Sequence, residues 1–445
     1  MKGSAAAVAT LWLSLALSAQ AQESVESRMK RFEERLEELA AENAALKVQN
    51  QKPPKKAEPP GVLQLGEVKL RLTGYLDVGF FKAFGDGVAY RFDAGKRNHP
   101  DLRNIPWVFD GDPWANAVNS QGDSADLGLD RTNIARFDPI HSKGRPTFLV
   151  NTVNLGLVGS LAESLLFETS INFEPRQGLL GAAGDFLNVD LAYVEWIPST
   201  ALDLHIFAGK FESTFGIEYR QRKASDRFNI TPSIISRYSV GTPIGLKVRG
   251  SILNQLLGFN FALTNGAMMT EQFGHFYNEL DANFVKTGSG RLSSKLPLPF
   301  FLEVGVSGLI GAQDGQPDDT RVQTQYGVDL KLVWEDLTLR GEYVRAFAPG
   351  GGISAAPRLT AEGFYVDAWY QLTSLIGAYV RVDLRDARLF ADTNMYISRV
   401  MRFTGAIRFD LNFHLAVKLE YLRLQELKGP EIEDDVFTSS LVFKF

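Results

Sequence analysis

The chain has 445 residues and a formal net charge of −5, room for several soluble domains or one large barrel. That mild acidity gives no signature of nucleic-acid binding. The absence of cysteine excludes a disulfide scaffold, a cysteine nucleophile and a thiolate metal site.

Taken in chain order, the first segment reads as a cleavable signal peptide, residues 1–21. Lys2 supplies the charged start, Ala5 to Ala19 the apolar stretch, and Ala19-Gln20-Ala21 the small-residue cleavage site. The apolar run is short for a helix that crosses a bilayer. With a mean hydropathy of −0.09, no later stretch is apolar enough to cross as a helix. A mature chain that sits in a membrane must then do so as a closed barrel, whose strands satisfy one another's backbone groups.

Residues 22–51 predict an α-helical coiled coil on the periplasmic side. Val25, Met29, Phe32, Leu36, Leu39, Asn43, Leu46 and Asn50 follow alternating steps of four and three, the spacing of a helical seam. The flanks are rich in Glu, Lys, Arg and Ala, all good helix formers. Asn43 and Asn50 share the heptad position of Met29 and Leu36, and a buried Asn fixes register at a cost in stability. The heptads alone do not separate two strands from three. A Pro- and Lys-rich linker follows at 52–67, where two Pro-Pro pairs stiffen the chain.

From 68 to 445 the period changes to two. Val68, Leu70, Leu72, Leu76, Val78 and Phe80 alternate with Lys69, Arg71, Thr73, Tyr75 and Asp77, giving one apolar and one polar face. The pattern recurs at 147–159, 165–174, 188–197, 202–211, 243–253, 256–265, 288–296, 300–311, 323–335, 337–347, 360–372, 375–387, 397–411, 414–426 and 436–445. With 68–82 that predicts an all-β, 16-stranded antiparallel transmembrane β-barrel. Short connections such as 254–255 and 335–336 alternate with long ones such as 83–146, 212–242 and 388–396. Outer-membrane barrels have short periplasmic turns, long external loops and an even strand count. A barrel of this width cannot be filled by side chains, so the polar face lines water and the apolar face meets lipid. Trp196, Trp334, Tyr343 and Tyr421 fall near strand ends on the apolar face, where aromatic girdles belong.

Two segments carry a resemblance to known families. The last strand, VFTSSLVFKF, stops on Phe445 with Phe437, Leu441, Phe443 and Phe445 on one face. It resembles the C-terminal signature of bacterial outer-membrane proteins, which implies recognition by the barrel assembly machinery. AGKFESTFGIE, Ala208 to Glu218, is similar to the G-x-F-x-x-x-F-G-x-E element of the phosphate-selective porin O and P family. That resemblance implies a porin, a homotrimer of outer-membrane barrels set among lipid and lipopolysaccharide, with phosphate-like anions as solutes. The chain shows no dense lysine cluster of the kind on which that family's phosphate specificity depends.

The loop at 212–242 is the candidate constriction. From Tyr219 to Thr242 it carries Arg220, Arg222, Lys223, Arg227 and Arg237 against Asp226 alone. Positive charge in a narrow, low-dielectric pore selects anions. Phe211, Phe215 and Phe228 give the loop apolar residues to fold against the wall. Arg71, Arg249, Arg381, Arg385, Arg402 and Arg408 are the expected lumen-lining cations. No cofactor, metal site or enzyme activity is expected. The five histidines are not spaced as a metal pair, and Asp110-Gly111-Asp112 lacks the rest of a calcium loop. His205 and Asp203 share the lumen side, where a serine could approach. The competing reading is a structural barrel tethered through its coiled coil to a periplasmic partner or the peptidoglycan. The inward arginines favour a channel, since a purely structural barrel has no need of them.

Overall fold

The computed structural model describes residues 62–84, 146–161, 164–173, 187–199, 203–253, 255–266, 281, 283–312, 321–349, 358–391, 394–427 and 435–445. The signal peptide, the coiled coil, most of the linker and the Asp110 loop lie outside the described residues. The strands are β1 (Val62–Leu65), β2 (Val68–Ala83), β3 (Thr147–Leu161), β4 (Leu165–Phe173), β5 (Leu187–Ser199) and β6 (Leu204–Lys210). They continue as β7 (Ile244–Ile252), β8 (Leu257–Thr264), β9 (Thr287–Pro297), β10 (Phe301–Ala312), β11 (Val322–Trp334) and β12 (Leu337–Ala348). The last are β13 (Arg358–Gln371), β14 (Ile376–Ala391), β15 (Asn394–Asp410), β16 (Leu415–Glu426) and β17 (Val436–Lys444).

All seventeen strands form one sheet. From β2 onward each pairs antiparallel with the next, and β17 returns to pair with β2, Phe443 opposite Leu76. Sixteen strands thus close the ring, and β1 only extends it. β17 covers Tyr75 to Ala83 of β2, and β1 covers Val68 to Arg71 on that strand. Between them Gly74 and Phe445 exchange both backbone hydrogen bonds, at 3.2 and 3.0 Å. Among the described residues only Leu72 and Thr73 have no strand partner on this edge of β2, too short a stretch to pair with another chain.

Two elements differ from the sequence expectation. Val62–Leu65, placed in the linker, forms a hairpin with β2. Its alternation is only four residues long, and the pairing it needs lies just across the turn at Gly66. The expected loop at 388–396 is instead mostly strand: β14 runs on to Ala391 and β15 begins at Asn394, with Ala391 opposite Asn394.

The two faces separate by chemistry. On β14 Val380 and Val382 are exposed, while Arg381, Asp383 and Arg385 between and beyond them are buried. The same phase holds on β11, where Tyr326 and Val328 are exposed and Gln325 and Asp329 buried. A soluble barrel would bury the first set and expose the second. Apolar surface of this extent on the outer wall requires a lipid surround. Trp196, Trp334 and Tyr421 stand exposed on that outer wall.

Candidate permeation constriction

The segment after β6 folds into the barrel rather than away from it. At Gly209 the backbone adopts φ +124°, where a β-carbon would meet the Ala192 carbonyl oxygen at 2.2 Å. Phe211 and Phe215 then bury completely. Phe215 packs with Ile235 and Tyr238 of the same segment against Leu309, Val344 and Tyr365 of the wall. Gly216 turns the chain with φ +65°. The backbone N–H groups of Ile217 and Glu218 donate to Glu342 Oε2, at 3.0 and 3.2 Å. Glu218 in turn accepts the Ser233 N–H at 2.7 Å and the Ser233 hydroxyl, closing the loop on itself. A 3-10 turn at Glu218–Gln221 and a one-turn helix α1 (Ser236–Ser239) are its only regular pieces.

Each part of the sequence element at 208–218 that resembles the porin motif therefore has a geometric task. Gly209 and Gly216 permit close approach, Phe211 and Phe215 anchor, and Glu218 caps. Charge density and the phenylalanines Phe211, Phe215 and Phe228 singled out the loop in the sequence. Of the two signals, the aromatic positions were the better guide to where it goes, and the glycines add to them.

The loop cations meet the wall. Arg220 forms a bidentate pair with Glu303 of β10, at 3.1 and 3.0 Å. Arg222 does the same with Asp190 of β5, at 2.5 and 2.8 Å. Lys223 reaches Glu168 of β4 at 3.2 Å. Arg227 donates to the loop's own carbonyls, Gln221 at 3.2 Å, Ile230 at 2.6 Å and Arg222. The side chain of Arg237 lies outside the described residues. Burial works against the Arg222 charge, yet Asp190 holds its pKa above the usual guanidinium value. Burial pushes Arg227 down to about 10, which still leaves it a cation at neutral pH.

The expected ring of bare positive charge is thus largely neutralised. The loop brings five cations and the lumen answers with Glu303, Asp190 and Glu168. The sequence could not show this, because the partners lie 83, 32 and 55 residues from the cations they meet.

Wall residues also hold the loop backbone. Lys418 of β16 donates to the carbonyls of Ala224, Arg227 and Asn229, at 2.7, 2.6 and 3.1 Å. Glu420 accepts the N–H groups of Ile230 and Thr231, at 2.9 and 3.0 Å. Asp383 accepts that of Ile234 at 3.2 Å. Arg381 and Arg402 both donate to the Pro232 carbonyl, and Phe228 stacks on Trp369 with centroids 4.6 Å apart. Counting the Ser289 and Gln325 contacts, the loop touches β4, β5 and every strand from β9 to β16. β4 and β12 stand opposite each other in a ring of sixteen, so the loop crosses the lumen.

The six expected lumen arginines divide in two. Arg381, Arg385 and Arg402 face inward, but the loop covers them, and at 3%, 0% and 2% exposure they line no open water. Arg408 bonds Asp410 and the Arg227 carbonyl, both at 2.8 Å. Arg249 stays half exposed beside Glu195, at 3.3 Å. Arg71 is exposed on the inward phase of β2 near its turn. Sequence reasoning passed over three further inward lysines near the short turns as selectivity residues: Lys69, Lys295 and Lys331. Together with Arg71 they have no ion-pair partner among the described residues. A cavity of about 470 Å³ opens at the same end, lined by Ser225 of the loop and by Arg408, Asp410, His414 and Lys444.

His205 lies between Glu195 at 2.5 Å and Asp203 at 3.3 Å, and the Ser251 hydroxyl donates to Asp203 rather than to the ring. Among the described residues no cluster fit to hold a metal is present.

No family model matches the chain, and no curated protein matches it. Solved structures do. The outer membrane channel DcaP of Acinetobacter baumannii superposes with a TM-score of 0.52 at 10% identity, over 85% of this chain and 97% of that one. OmpT of Vibrio cholerae, expressed in the outer membrane, gives 0.50 at 8% identity, over 86% and 100%. OmpF of Salmonella typhi, in complex with daunomycin, gives 0.50 at 11% identity, over 86% and 100%. At these identities the likeness is one of fold. With its lipid-facing wall, that fold is a closed sixteen-stranded β-barrel like those of bacterial outer-membrane proteins, and it places the chain in the outer membrane.

Proposed function

We propose that the protein is a passive channel for small hydrophilic solutes, with a preference for anions such as phosphate. The observation that carries the channel reading is the 212–242 loop strapped across the lumen, which narrows a bore sixteen strands wide. The preference is assigned less to the loop, where Arg220, Arg222 and Lys223 are paired with wall acids, than to Lys69, Arg71, Lys295 and Lys331 near the periplasmic mouth, which have no ion-pair partner among the described residues. With Arg249, which lies at the same short-turn end of the barrel, they make the potential of that mouth positive. A tether reading, in which the coiled coil at 22–51 binds peptidoglycan or a periplasmic partner, leaves these four cations without a task.

In planar bilayers under a KCl gradient the wild type should show a reversal potential on the anion side. Lys295→Gln with Lys331→Gln should move it toward cations at low salt. The shift should shrink near 1 M salt, where the Debye length is about 3 Å. A wild-type potential at zero, or one the double variant leaves unchanged, leaves a general diffusion pore as the better reading. No conductance at all would favour the tether.

The functional unit in this reading is a homotrimer, aligned by the coiled coil. Burying charge in its seam with Leu36→Asp and Leu39→Asp should lower the oligomer mass in mild detergent. Assembly begins with the aromatic C-terminus at Phe445, read by the barrel assembly machinery.

A further inference from the structure

The outer wall of the barrel is apolar over most of the described strands, with one pronounced interruption. Cross-strand register makes Tyr326, Arg345, Glu362, Asp386 and Arg399 direct neighbours on β11 to β15. All five point outward, because the residue beside each one in sequence (Gln325, Val344, Ala361, Arg385, Val400) is the buried, inward one. Arg388 stands two residues beyond Asp386 on the same face. At ~4.8 Å per strand the row is about 19 Å long. It lies toward the ends of the strands that carry the long loops, the side of the outer leaflet.

Pairing within the row is loose. Arg345 is 3.8 Å from Glu362, while Arg388 and Arg399 are 3.5 and 3.7 Å from Asp386. These separations are at or past the limit of a hydrogen bond. Three guanidinium groups share two carboxylates, so one positive charge is in excess. The three side chains are about half exposed and hold five N–H donors each. Directly beneath, Val328, Phe364, Leu384 and Met401 continue the same strands on the same face as an apolar surface, and Tyr343 among them donates its hydroxyl up to Glu362 at 3.2 Å. An arginine facing lipid is strongly disfavoured at mid-bilayer and tolerated near the interface, so the row sits at headgroup depth. The surface offers anion donors above and hydrocarbon below.

We propose that this row is a binding site for the phosphate groups of outer-leaflet lipopolysaccharide, with the acyl chains lying on the wall beneath it. Arginine forks match phosphate oxygens in bidentate fashion, and a phosphorylated amphiphile satisfies both halves of the surface at once. A second copy of the chain fits less well. Among the described strand residues, Glu362 and Asp386 are the only outward carboxylates. The described strands of a neighbouring copy therefore bring no fresh acid to meet the excess charge. The inference rests on the membrane placement of the barrel and not on the channel reading, so conductance results leave it untouched.

The test is retention of added lipopolysaccharide by the full-length protein in detergent, read by native mass spectrometry. The wild type should retain it, and should retain enzymatically dephosphorylated lipopolysaccharide about tenfold less. The triple variant Arg345→Gln, Arg388→Gln, Arg399→Gln should lose retention by a similar factor. Removing the competing acids, Glu362→Gln with Asp386→Asn, should strengthen retention, which keeps the proposal testable if the triple variant does not fold. Retention that ignores phosphate, equal retention by the triple variant, or no gain in the acid variant overturns the proposal. A triple variant that loses oligomer mass but keeps its lipid overturns it too, and makes the row an interface between copies.

Discussion

At Gly216 a β-carbon would fall 2.0 Å from the Glu342 carboxylate, in a backbone conformation of φ +65° that other residues rarely adopt. Gly216→Ala should therefore cost about 1–3 kcal/mol in strain and break the two N–H bonds that Glu342 receives. The expected outcome is a loop that leaves its seat, read as trypsin cleavage after Arg220, Arg222 or Lys223 in the folded barrel. A variant as resistant as the wild type would show that Gly216 does not set the fold of the loop. Phe215→Ala should act in the same direction by roughly 3–5 kcal/mol, the range for emptying a fully buried aromatic site. The residue types at these positions were legible in the sequence as a short element. Their tasks were not, because Glu342 lies 125 residues from Ile217 and nothing local marks it as the acceptor.

On the element scale, the loop behaves as a strut held at both walls by wall charges spent on its side chains and backbone. Removing Arg220, Arg222 and Arg227 together should do two things. It should shift the reversal potential toward cations, since Asp190 loses its cation and Glu303 keeps only Arg291, at 2.8 Å. It should also weaken the seat of the loop, because taking one partner from a buried pair such as Arg222–Asp190 costs about 3–5 kcal/mol. Open-channel noise in single-channel records would report the second effect. A clean, quiet channel with an unchanged potential would place these arginines outside both roles. The strands themselves were largely legible, since alternation is a local signal and most bounds fall within a few residues. Val62–Leu65 escaped because a four-residue strand carries little pattern. The 388–396 segment was read as a loop because polar residues are frequent in its sequence, whereas β14 and β15 pair as far as Ala391 and Asn394.

For the whole molecule, strand number and loop segregation could be read along the chain and closure followed from the membrane argument, but the residues that make the closure could not. Closure joins Phe443 to Leu76 and Phe445 to Gly74, contacts between opposite ends of the sequence that no period announces. They are also the most expensive contacts to form, because loop-closure entropy must be met before non-local pairing rewards it. The seam therefore forms late, and its strength decides whether a curled sheet becomes a barrel. The outward side chains there, Leu441, Phe443 and Phe445, are all exposed to the lipid side, so they stabilise the seam mainly once a membrane or detergent is present. Deleting Phe445 removes both backbone bonds to Gly74 and leaves a gap between β1 and β17 on the β2 edge. The variant should fold into detergent more slowly than the wild type, with a smaller fraction reaching the fast-migrating form on unboiled gels. Phe445→Ala keeps the backbone bonds and should fall between the two. Equal folding rates and yields for all three would mean that the seam is sealed by the remaining β17 pairs, and that Phe445 acts only as a mark read during assembly in the cell.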